Sequence, residues 1–331
     1  MSTPSRRPTL ADVARLAGTS TAVVSYVIND GPRPVAADTR LRVESAIEDL
    51  GYRRNPIAGA LMVGRSNLVG LLVPDSSNAF FGEMSRHIEQ EGKARGLLTL
   101  LGNTAYDPQV EIEYELAFSD LLPRAIFVTS IDSTIPSRQT SPRIYLHSMP
   151  IGSKAPSVVF DDVGGGILAT EHLLQHGLED IHCLTGPDDF GPSGQRMRGW
   201  EIAMGSAGIS TTGRVHRASF VRLEAEAVVR ELLESANPPR AIFATTDEQA
   251  LATLRAAAVV GLRVPEDLAI VGFDGIREAL YGSTRLTTIS LPLAELAKRA
   301  FEVLSTWDDP EAVKRHVLSG SLVIGETCGC D

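Results

Sequence analysis

The chain has 331 residues, 43% hydrophobic and 22% charged, which excludes a disordered or fibrous protein and leaves material for more than one core. No run of about 18 apolar residues occurs, so no membrane-spanning helix is expected, and the N-terminal MSTPSRRPTLADV lacks the apolar stretch of a secretory signal, so a cytoplasmic location is expected. The net charge of −10 is uneven: residues 1–65 carry nine arginines, no lysine and six carboxylates, a net +3, which leaves −13 for the rest. A basic headpiece on an acidic body fits a modular nucleic-acid binder.

Thr9 to Asn29, TLADVARLAGTSTAVVSYVIN, reads as two short helices around a tight turn. Leu10, Val13, Ala14 and Ala17 recur at helical spacing. Thr9 with Asp12 three residues on forms a capping-box pattern. Gly18 ends the first helix because it takes a positive φ at no steric cost. Ser20 is placed to cap the second, which carries Val23, Val24, Val27 and Ile28. Such a pair is a helix-turn-helix, whose second helix fits a DNA major groove; a helical hairpin of an ordinary core gives the same pattern. A third helix is expected from about Asp38 to Leu50, ended by Gly51. Residues 55–64 hold Pro56 and Gly59, and read as a hinge that orders only when docked.

From Asn67 the pattern changes. Leu68–Val73 is a short apolar run closed by Pro74, the mark of a buried parallel strand. Helices and strands then alternate: a helix through about Arg95, the strand LLTLLG, a helix over 108–122, and strands at 125–129, 144–146 and 158–160. The alternation restarts with a helix over 164–176, a strand over 181–184 and a helix over 198–207. It continues with a helix over 224–235, a strand over 241–244, a helix over 249–259 and a strand over 268–271. Two such blocks imply two lobes of parallel sheet with helices on both faces, and a cleft lined by the loops that follow the strands.

With these elements placed, the sequence resembles the LacI/GalR family of transcriptional regulators over nearly its whole length. TLADVARLAGTSTAVVSYVIN resembles the family's headpiece, and VAADTRLRVESAIEDLGYRRNPIAGAL its third helix and hinge helix. LVGLLVPDSSNAFFGEM, FDDVGGGILATEHLLQHGLEDI, QRMRGW, LAIVGFDG and LTTISLP follow in the family's order. The resemblance implies an all-α helix-turn-helix headpiece plus an α/β two-lobed, periplasmic-binding-protein-like body of parallel sheets flanked by helices. It implies a headpiece over 1–54, a hinge helix and linker over 55–66, and an effector-binding and dimerisation body over 67–331. The N-lobe is expected over about 67–162 and 291–318, the C-lobe over about 163–290 and 319–331.

Carried over by position, Thr21, Ala22 and Tyr26 should face base edges. Ser20, Ser25 and Asn29 should position the protein on phosphates with short polar groups, and Thr9 is a further DNA-binding residue. Asn55, Ala58 and Leu61 belong to the hinge, where Leu61 matches the leucine that wedges into the minor groove. Tyr26 stands where the family usually has Arg, and Ala36 where a Ser usually caps the third helix. Asp274 and Arg196 match the family's effector-binding pair, with Phe81, Asp161 and Asp247 as further cleft residues. Thr246, Leu291 and Gly325 replace a usual Asn, Gln and Arg. The expected partners are a palindromic operator in double-stranded DNA, a second copy of the chain, and a small polar effector such as a sugar, sugar derivative or nucleoside. The protein is expected to act as a repressor; the alternative is a solute-binding protein of the same fold without a DNA role.

Other signals are weak. His172 and His176 have metal-ligand spacing, but HExxH needs a Glu where Leu173 stands. Cys328 and Cys330 end the chain as a lone CxC, and Cys183 lies in an apolar strand. No metal and no cofactor are expected. Gly164–Gly166 lack the pattern of a phosphate loop and read as a tight crossing between lobes. No GxSxG elbow occurs, and no enzyme is expected.

Overall fold

The computed structural model describes residues 8–29, 33–53, 59–60, 64–129, 141–150, 153–309, 311–312 and 314–330. The hinge positions Asn55, Ala58 and Leu61 lie outside them. The chain divides into two compact units, Met1–Ser66 and Asn67–Asp331.

In the first unit, α1 (Leu10–Leu16) opens on a reciprocal cap. The Thr9 hydroxyl accepts from the Asp12 N–H at 3.4 Å, and the Asp12 carboxylate accepts from the Thr9 N–H at 2.9 Å. Gly18, at φ 62°, turns the chain toward α2 (Thr21–Asn29), whose first turn is capped by Ser20 accepting from the Val23 N–H at 3.3 Å. α3 (Ala37–Leu50) ends on Gly51 in the left-handed conformation, and no side chain caps its start at Ala36. Val13, Ala14, Ala17, Val24, Val27, Val43 and Ala46 bury one common core between the three helices. Each buried valine contributes roughly 1.5–3 kcal/mol, enough to hold helices that are too short to persist alone.

The second unit holds two six-stranded sheets. The first contains β1 (Leu68–Val73), β2 (Leu98–Asn103), β3 (Ile126–Val128), β4 (Arg143–His147), β5 (Ser157–Phe160) and β11 (Arg315–Leu318), in the order β11-β5-β4-β3-β1-β2. The second contains β6 (Ile181–Thr185), β7 (Val215–Arg217), β8 (Ala241–Ala244), β9 (Ala269–Asp274), β10 (Thr287–Ser290) and β12 (Ser321–Val323), in the order β12-β10-β9-β8-β6-β7. Every pairing is parallel except β10 with β12. The helices are α4 (Ala79–Ala94), α5 (Pro108–Ser119), α6 (Asp162–Gln175), α7 (Gly191–Ser206), α8 (Arg222–Leu233), α9 (Asp247–Val260), α10 (Arg277–Tyr281) and α11 (Leu293–Ser305). The chain passes between lobes three times: after β5, after β10 and after β11.

Several elements differ from the sequence expectation. α7 starts seven residues early, because Gly191-Pro192 forms its first turn and Pro needs no N–H partner there. β7 has three residues, two half-buried and one exposed, and α10 has five, both too short to show a period. Gly165 and Gly166 lie inside α6 and serve a different purpose from a crossing. A Cβ on Gly166 would come within 2.2 Å of the Arg196 carbonyl oxygen, and one on Gly165 within 2.5 Å of the Phe273 ring. Gly199 on α7 is as tight against the Val163 carbonyl, at 2.3 Å. Gly166 and Gly199 let α6 and α7 touch backbone to backbone beside Arg196, while Gly165 makes room for the Phe273 ring of β9.

Candidate nucleic-acid interface and ligand cleft

On α2, residues 21, 22, 25, 26 and 29 fall on one face, opposite the buried Val24 and Val27. Thr21, Ala22 and Asn29 are exposed, and Ser25 and Tyr26 half-buried. Asn29 Nδ2 donates to the Ser25 carbonyl at 2.9 Å and lies 3.1 Å from its hydroxyl, so the polar end of this face is held in place. Thr9 and Ser20 flank it, with hydroxyls committed to the caps of α1 and α2. The face offers a phenol, a methyl and small hydroxyls, and no cation.

In the second unit a cleft of about 790 Å³ lies between the lobes. One wall is Phe80, Phe81, His147 and Tyr106 of the first lobe; the other is Phe190, Ser193, Phe220 and Thr246 of the second, with Arg196 and Asp274 between. Tyr106 and Phe220 stack across the gap, with centroids 6.2 Å apart and planes at 26°. Beside the cleft, the Arg277 N–H donates to Glu83 at 3.0 Å, a second link between the lobes.

Arg196 is the centre of the floor. It is 1% exposed, and its Nε donates to Asp162 at 2.7 Å. Nη1 donates to the Thr245 carbonyl at 2.7 Å and to Asp274 at 2.9 Å. The Phe273 ring lies 3.8 Å from the guanidinium carbon. Nη2 is buried and has no hydrogen-bond partner, an unspent strong donor on a residue that lines the cleft. Burial pushes the Asp274 carboxyl up to about 7 and the Asp162 carboxyl up to about 6, with Arg196 opposing both shifts.

The GFDG turn explains how Asp274 is presented. Asp274 sits at φ 117°, a left-handed conformation that costs a non-glycine residue about 1–3 kcal/mol. Asp247 holds the turn: its carboxylate accepts from the Gly275 N–H at 2.8 Å, the Ile276 N–H at 2.9 Å and the Thr288 hydroxyl at 2.6 Å. Gly272 leaves room for it, since a Cβ there would lie 2.3 Å from Asp247 Oδ1.

Of the cleft residues expected from sequence, Arg196, Asp274 and Phe81 line the cavity together. Asp161 and Asp247 do not. Asp161 is exposed and caps α6 through the Gly164 N–H at 2.9 Å, and Asp247 is fully buried beneath the turn it holds. Asp162, the neighbour of Asp161, supplies the buried counter-ion. His147 was also missed; it ends β4 at φ 61°, packs on Phe80 at 4.7 Å, and has a buried Nδ1 without a partner. Burial, then the Arg196 charge, holds its imidazole well below the usual range, so it is neutral. Its signal was its place at the carboxyl end of a strand. Gly325 has no room for a side chain: a Cβ would meet the Arg285 carbonyl at 2.3 Å.

A helix-turn-helix unit and a two-lobed body with a ligand-sized, charged cleft define a ligand-responsive DNA-binding regulator. Comparison with known proteins agrees. Residues 9–55 match the family described as bacterial regulatory proteins, lacI family, and residues 170–328 match the periplasmic binding protein-like domain. The chain is 34% identical over 302 residues to the HTH-type transcriptional regulator DegA of Bacillus subtilis (strain 168), covering 88% of each. Its fold is similar to that of a lac repressor dimer bound to operator and the anti-inducer ONPF, with TM-score 0.87 at 23% identity over 98% of this chain and 99% of that one. It is also similar to a transcriptional regulator CelR–cellobiose complex, with TM-score 0.71 at 28% identity over 97% and 100%. The chain belongs to the LacI family of bacterial transcriptional regulators.

Proposed function

We propose that this regulator is a cytoplasmic repressor, without catalytic activity, that binds a palindromic operator as a homodimer and is switched by a small polar molecule in the cleft. The observation that carries the effector half is the buried Arg196, paired on two sides, left with one unpartnered nitrogen, and lining an aromatic-walled cavity. A guanidinium and a carboxylate at the floor suit vicinal hydroxyls, and flat rings on both walls suit a sugar, sugar derivative or nucleoside. The cellobiose held by CelR is a ligand of that class. On the DNA side, Thr21, Ala22 and Tyr26 read bases, with Ser20, Ser25 and Asn29 toward phosphates. Asn55, Ala58 and Leu61 of the hinge serve the minor groove, Leu61 as the wedge.

Ligand in the cleft alters the relative rotation of the lobes and, through it, the spacing of the two hinges. The two sites are then linked, and the coupling must be reciprocal. The test is a gel shift of the full-length dimer against the region flanking its own gene. A specific complex that weakens steeply with salt is expected. A folded dimer that forms none at moderate salt overturns the reading.

A further inference from the structure

The carboxyl end of α6 meets the last residues of the described chain in a cluster that lies outside the headpiece and does not line the cleft. His172 and His176 lie four apart, so both imidazoles project from one side of the helix end. Cys328 and Cys330 reach them from the segment after β12. One ligand atom from each of the four side chains lies within 4.8 Å of the other three. Cys330 Sγ is 3.2 Å from His176 Nε2 and 3.7 Å from His172 Nε2.

The segment that delivers the cysteines is built in place. Thr327 is tied to β9 and β10: its hydroxyl donates to the Ile270 carbonyl at 2.7 Å and accepts from the Thr287 N–H at 2.9 Å. That fixes Cys328, which is 2% exposed. Gly329 follows at φ 90°, a conformation that other residues rarely adopt. His172 is 7% exposed, while His176 and Cys330 form the outer side.

We propose that His172, His176, Cys328 and Cys330 bind one zinc ion as a closed, structural His₂Cys₂ site that staples the end of the chain to α6. Two sulfurs and two nitrogens are the donor set that a borderline-soft, tetrahedral ion takes. Bonds of about 2.0–2.1 Å to nitrogen and 2.3 Å to sulfur at the tetrahedral angle put nitrogen and sulfur about 3.6 Å apart. The two Cys330–histidine separations, 3.2 and 3.7 Å, bracket that value. A histidine at a helix end also interacts with the helix dipole, but that accounts for neither cysteine. Four protein ligands leave no open position, so the ion holds structure and activates no water. The proposal departs from the expectation of no metal, which was drawn from two weak half-motifs: each half lacked the other, which stands more than 150 residues away in the chain.

The test uses untagged full-length protein, reduced, exposed to equimolar zinc chloride, desalted and assayed for metal. One zinc per chain is expected. Cys330→Ser and His176→Ala change the two outer ligands and spare the buried Cys328 and His172; each should bind zinc at least tenfold more weakly. Cobalt in place of zinc should give the intense visible bands of a tetrahedral thiolate complex in the wild type and lose them in Cys330→Ser. Zinc should raise the melting temperature of the wild type only. A reduced wild type that retains no more zinc than the Cys330→Ser/His176→Ala double variant overturns the site. So does a Cys328–Cys330 disulfide that persists in that reduced protein.

Discussion

Arg196 and Asp162 are joined at 2.7 Å, both almost wholly buried, one from α7 and the other from the first turn of α6. The bond ties the floor of the cleft to the helix that starts as the chain leaves the first lobe. Removing Asp162 leaves Arg196 buried with Asp274 as its remaining carboxylate partner, and losing a hydrogen bond to a buried charged group costs about 1.5–3 kcal/mol. Asp162→Ala should therefore cost about that much in urea unfolding of the body. Asp161→Ala, one residue away, removes only a helix cap and should cost about 1 kcal/mol. Equal losses would mean that the two carboxylates are not divided in this way.

The same carboxylates make stability depend on pH. Burial raises Asp274 to about 7 and Asp162 to about 6, above their values in an unfolded chain. Such groups favour the folded state most below about pH 4, and that contribution is lost as pH rises through 7. His147, held low by burial, works the other way and favours folding less as pH falls below about 6.5. Comparing wild type with Asp274→Asn removes the histidine from the difference. Between pH 5 and pH 8 the urea midpoint of the wild type should fall relative to that of the variant. A pH-independent difference would contradict this.

The headpiece lacks one cap. α3 begins after Ala36, with no side chain accepting from its first N–H groups. Ala36→Ser should stabilise the helix-turn-helix unit by about 1 kcal/mol, read as a higher melting temperature. No gain would show that other groups already satisfy those donors.

Tyr26 presents an apolar ring and one hydroxyl where a guanidinium would read guanine bidentately. Tyr26→Ala should weaken the cognate operator by about 1–3 kcal/mol without changing the salt dependence, because no phosphate contact is lost. A changed salt slope would move Tyr26 from base reading to the backbone.

The three headpiece helices and the alternation of the body were legible because their signals are local: caps, positive-φ glycines and apolar periods. Arg196 and Asp274 were legible through motif position. What stayed hidden needed three dimensions. Asp161-Asp162 offers two identical side chains, and only the start of α6 decides that the first caps it and the second is buried. Asp247 follows β8 closely, as a cleft residue would, yet Thr246 caps α9 and sends Asp247 inward. The glycine run reads as a crossing in the sequence because helix–helix contact leaves no mark in a single helix. The histidine pair and the CxC come together only when the segment after β12 returns the chain to α6.

The measurement that tests the switch most directly is linkage between the two units. A sugar or nucleoside that raises the melting temperature of the wild type but not of Arg196→Met is titrated against the full-length dimer, with and without operator duplex. Operator affinity is measured with and without that compound. Both affinities should change by the same factor, between about 5-fold and 150-fold. A compound that binds through Arg196 and leaves operator affinity unchanged would contradict control of the headpiece by the cleft.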